Sequence, residues 1–136
     1  MSLLEVVAAT CLLATAIYPA LQFVRDGLAI SRDNETRAAV SNFCVSKLEE
    51  HLALAAANWT NGTYTGNFAS EGYASLRYSV TRSDAVAAGG VVGSLMAITV
   101  TVWNDANANS LCDTGETQVT MASKISKMAV YQALGS

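Results

Sequence analysis

Residues 6–24 form a run of 19 positions without a charged side chain. As a helix, such a run spans about 28 Å, close to the hydrocarbon core of a bilayer. Beyond Arg25 the spacing stays helical but becomes two-faced. Val40, Phe43, Cys44, Leu48, Leu52 and Ala55 recur at three- and four-residue intervals, while Arg37, Ser41, Lys47, Glu49 and Glu50 take the other faces. The stretch Asn58-Trp59-Thr60-Asn61-Gly62 then closes the pattern with turn-forming residues. The pattern predicts one long helix from about residue 2 to about residue 57. Gly27 and the polar run at 31–34 are expected to loosen it between its apolar and amphipathic halves.

Residues 61–72, rich in Gly, Asn, Thr and Ser, read as a loop. Residues 73–82 alternate, with Ala74, Leu76, Tyr78 and Val80 on one face. Residues 87–93 hold three glycines and read as a flexible connection. Residues 95–103 alternate again: Met96, Ile98, Val100 and Val102 point one way, with Thr99 and Thr101 opposite, as in a half-exposed antiparallel strand. A shorter strand is expected at 117–122. The predicted fold class is α+β, a long N-terminal helix packed on a small antiparallel meander of three or four strands. Two segments are expected. Residues 1–25 form an apolar transmembrane or filament-core helix half, and 26–136 a head that includes the second helix half.

Charged residues make up 14% of the chain, against about a quarter in ordinary soluble domains. The net charge is -3, and the eight Lys and Arg residues are scattered, which argues against nucleic-acid binding. One histidine, His51, rules out a multi-histidine metal site and reads as a surface or interface residue of the helix. No nucleophile–base pair, phosphate loop or carboxylate dyad with a cofactor motif is visible, so no enzyme is expected. Nothing basic precedes the apolar run, unlike a secretory signal. Arg25, Arg32 and Arg37 follow it, and by the positive-inside rule alone they would hold the head in the cytoplasm. Removal of a basic leader from the front would resolve that conflict.

The start Met1-Ser2-Leu3-Leu4-Glu5-Val6-Val7-Ala8 resembles the mature N-terminus of the type IV pilin and type II secretion pseudopilin superfamily. The resemblance covers about the first 25 residues. Phe43-Cys44-Val45-Ser46-Lys47-Leu48-Glu49-Glu50 also looks like the helix of minor I-type pseudopilins. Met1 stands where the family usually has Phe, and Pro19 lies slightly before the family's helix-disturbing proline. The resemblance implies a filament subunit, methylated at Met1, stored in the bacterial inner membrane and assembled into an extracellular or periplasmic filament. Its partners would be copies of itself or other pilins. The resemblance places Glu5 opposite a neighbouring subunit's N-terminal amine. Physical chemistry supports the same role, since a carboxylate at the edge of an apolar run is costly in lipid without a partner. Pro19 removes a backbone donor, giving either a mild kink or a section that melts on stretching. A minor pseudopilin and a single-pass anchored, calcium-dependent binding module are the alternative functions.

Residues 105–116 read DANANSLCDTGE. Asp105, Asn107, Asn109, Asp113 and Glu116 supply side-chain oxygens at the first, third, fifth, ninth and twelfth places, and the Leu111 carbonyl falls at the seventh. This is the ligand spacing of an EF-hand calcium loop, with Ser110 in place of its central glycine and strands in place of its flanking helices. The competing reading is a polar hairpin loop. Cys44 and Cys112 lie outside the apolar run and form the candidate disulfide, with a small buried apolar role as the alternative for Cys44. Asn34, Asn58 and Asn61 head three glycosylation sequons, for which plain polar residues are the favoured reading.

Overall fold

The computed structural model describes residues 2–127. Helix α1 spans Leu3–Ala57 and passes unbroken through Pro19, Gly27 and the polar run at 31–34. The chain divides into two compact units between Glu35 and Thr36. The compositional boundary at residue 25 therefore falls inside the first unit. The reason is packing: α1 buries Val40, Cys44, His51 and Ala55, all beyond that division.

Four strands follow: β1 (Gly62–Phe68), β2 (Tyr73–Ser83), β3 (Leu95–Asn104) and β4 (Gln118–Ser126). They pair antiparallel in the order β1-β2-β3-β4, a plain meander. Register places Tyr64, Val80, Val100 and Met121 in one row across the sheet, and Gly66, Tyr78, Val102 and Val119 in the next. This face meets the second half of α1. Val40, Cys44 and Ala55 join Phe68, Leu76, Val80, Met96, Ile98, Val100 and Val102 in one buried cluster. The opposite face carries Thr63, Thr81 and Thr99 in one row and Thr65, Ser79, Thr101 and Thr120 in another. Period-two alternation thus separates core from solvent as expected for a sheet covered on one side.

Residues 61–72 correct the loop expected there. They hold β1 and a 3-10 turn at Ala69–Glu71. Two of the glycines that suggested a loop, Gly62 and Gly66, make room for aromatic rings: a Cβ at Gly66 would come within 2.6 Å of the Tyr78 hydroxyl. β4 extends to Ser126, beyond the expected end at 122. The connection at 87–93 is tied by hydrogen bonds. The Asp84 carboxylate accepts from the Gly93 N–H at 2.9 Å and from the Asn61 amide at 2.7 Å.

The Cys44–Cys112 pairing is also corrected, because both thiols are free. Cys44 is fully buried, and its Sγ lies 3.6 Å from the carbonyls of Val100 and Val119. Cys112 is exposed in the β3–β4 loop and donates to Gln118 Oε1 at 2.9 Å. The core thiol therefore takes its alternative role, a small apolar residue under the helix.

Candidate functional site

Two places carry the residues singled out from sequence: the start of α1 and the β3–β4 loop. At the first, the Ser2 N–H donates to Glu5 Oε2 at 3.0 Å, and the Glu5 N–H donates to Ser2 Oγ at 3.4 Å. This reciprocal pair is a capping box, which satisfies two orphan donors at the helix start. The Ser-x-x-Glu spacing of this box is legible in the sequence and gives Glu5 a local role beside the expected intermolecular one. Met1 lies outside the described residues.

Beyond the cap, α1 is long and apolar enough to cross a membrane, and no part of that stretch is buried by the chain. Leu3, Leu12, Leu13, Tyr18, Leu21 and Phe23 are all 63% or more exposed. The two threonine hydroxyls in the stretch are satisfied within the helix. Thr10 Oγ1 donates to the Val6 and Val7 carbonyls at 3.0 and 2.9 Å, and Thr15 Oγ1 to the Leu12 carbonyl at 2.9 Å. A helix surface with its hydroxyls turned back on its own backbone suits surroundings that offer no water.

In the β3–β4 loop the five oxygen-bearing residues do come together, but around the chain's own donors. Asp105 is 4% exposed. Its Oδ1 accepts the Asn109 N–H at 3.0 Å, and its Oδ2 accepts the Ser110 N–H at 2.9 Å and Arg77 Nε at 2.5 Å. The amides of Asn107 and Asn109 both donate to Asp113 Oδ2, at 2.8 and 2.6 Å. Glu116 accepts from the Ala106 and Asp113 N–H groups at 3.0 and 3.1 Å. Asn109 Oδ1 accepts the Leu111 N–H at 2.7 Å. Among the described residues, no three His, Cys, Asp or Glu side chains group so as to hold a metal ion. A calcium ion at this loop would have to share these oxygens with the N–H groups and the Arg77 guanidinium from which they already accept. Arg77, on β2, had no local signal; only the register brings it to Asp105. Burial works to raise the Asp105 pKa, but the Ser110 N–H, Arg77 and the Asn109 N–H outweigh it and hold it below the ordinary carboxylate value.

A third polar cluster lies under the C-terminal end of α1. His51 and Arg82 are each 5% exposed. Arg82 hydrogen-bonds Tyr64 Oη and Thr60 Oγ1, and its guanidinium lies 4.4 Å from the Tyr64 ring centre. The His51 ring is 5.1 Å from that same ring. Burial, and then the Arg82 charge, push the His51 pKa down.

The sequon residues are dispersed. Asn34 is within α1, Asn58 follows its last turn, and Asn61 is held by Asp84. Comparison with known proteins finds no match to a family model, to a curated protein or to a solved structure.

Proposed function

We propose that this chain is a structural subunit of a type IV pilus-like or pseudopilus filament. The observation that carries the reading is the first part of α1, a membrane-length apolar helix surface left wholly uncovered behind a single acidic residue. A surface of that size marks an interaction with lipid or with protein. In this reading the helix is stored in the bacterial inner membrane and then packs beside copies of itself, while the head of helix and sheet faces outward. Glu5 pairs with a neighbour's N-terminal amine, and the interior of the filament replaces lipid around the apolar residues. The pilin-like order of elements, a long helix followed by an antiparallel sheet, supports the same reading.

Electron microscopy of assemblies formed by the full chain tests it. Filaments are expected from the native sequence. Glu5→Leu should leave the subunit in the membrane and reduce filament number strongly. Normal assembly of Glu5→Leu would overturn the pairing role. Membrane insertion without filaments, under conditions where assembly machinery is active, would favour a single-pass anchored module.

A further inference from the structure

Just beyond the apolar run, α1 carries two stripes of opposite charge. Arg25 and Arg32 are seven residues apart, so they share one line on the helix to within about 20°. Asp26 and Asp33, also seven apart, share a second line about 100° round from it. All four side chains are exposed. Between the two lines runs a seam containing Ala29. Cys11, five full turns earlier at 3.6 residues per turn, falls on the same seam. Arg32 and Asp33 each also interact within their own chain.

We infer that this seam is the contact between two copies lying parallel in one bilayer, with the arginine stripe of each against the aspartate stripe of the other. This rests on the membrane-stored filament subunit proposed above and names the geometry of its first contact. Copies inserted the same way are parallel, and the shared apolar run fixes them at the same depth. In that register Arg25 faces the partner's Asp26, and Arg32 faces the partner's Asp33. A slip of seven residues keeps one of the two contacts. An antiparallel pair sets arginine against arginine and aspartate against aspartate, so the pattern opposes it as well as favouring the parallel one. Ala29 is small and eases approach at the charged end of the seam, while Tyr18 and Gln22, which fall on the same seam between Ala29 and Cys11, set the spacing of the two helices there. The charges lie at the membrane edge, where screening is weaker than in bulk water, so each contact keeps much of its strength.

Cys11 reports on the contact directly. The full chain carrying Cys112→Ser is placed in phosphatidylcholine vesicles at low salt and oxidised, with insertion checked by flotation. Parallel packing brings the two Cys11 thiols together, and Cys11-linked dimers are expected. Arg25→Glu with Arg32→Glu turns the attractive contacts repulsive and should cut the dimer yield about tenfold. Adding Asp26→Arg and Asp33→Arg in the same chain exchanges the stripes and should restore it. Raising the salt should lower the yield for the unreversed chain, a readout that needs no charge reversal. Equal yields with and without the reversal, no effect of salt, or no dimer from the inserted parent would each overturn the inference. These outcomes are read before any filament exists, so they are separable from failure of filament formation.

Discussion

At the scale of single residues, Glu5 has two jobs that mutation can separate. Its carboxylate closes the capping box with Ser2 and, in the proposed filament, meets a neighbour's amine. Ser2→Ala removes the cap side chain and should destabilise the helix end by about 1 kcal/mol. It leaves the carboxylate, so filament number should stay close to normal while Glu5→Leu lowers it. If both variants assemble equally poorly, Glu5 acts through the cap. His51 gives a second residue-level prediction. Its folded pKa is depressed from the usual 6.5, so the unfolded chain binds the proton more readily. The stabilisation is complete above pH 6.5 and is lost as pH falls from there toward the folded pKa. The midpoint of urea unfolding should fall between pH 6.5 and 5, and His51→Gln should flatten that decline. An unchanged slope in the variant would move the effect to other groups.

The elements show where sequence legibility ends. Helix α1 and strands β2 and β3 were readable because each buries one face with the right period: Val40, Cys44 and Ala55 on the helix, and Met96, Ile98, Val100 and Val102 on β3. Strand β1 was not, because its glycines serve neighbouring tyrosine rings and local composition cannot distinguish that from a turn. The apolar start of the candidate site and Glu5 were equally plain. The loop chemistry was hidden, since Arg77 reaches Asp105 only through strand register. Two predictions belong here. Ser110 takes the left-handed backbone at φ 67 that the EF-hand glycine occupies. Ser110→Gly should therefore stabilise the head by about 1 kcal/mol, read as a higher melting temperature. With Arg77 on Asp105, millimolar calcium and excess chelator should give melting temperatures within about 1 °C, since binding stabilises only if the folded loop holds the ion. A rise of several degrees would show that the loop holds calcium and would establish the site.

At the scale of the molecule, the division between Glu35 and Thr36 sets the most direct test of organisation. A chain beginning at Thr36 retains the helix residues that pack on the sheet and lacks the exposed apolar stretch. It is expected to sediment as a soluble monomer with cooperative unfolding. A stable oligomer at low micromolar concentration would place an association surface on the head itself.

The inward-turned hydroxyls of Thr10 and Thr15 bear on mechanics. Threonine hydroxyls held this way add no hydrogen bonds to a neighbouring helix, so sliding past it exchanges mainly one set of dispersion contacts for another. In the proposed parallel contact the charged stripes beyond that stretch would act as detents, with stops about 10.5 Å apart, the rise of seven helical residues. A fibre built this way should yield to a pull in short steps and re-seat on release, behaving as a ratcheted spring where a brittle rod would fracture.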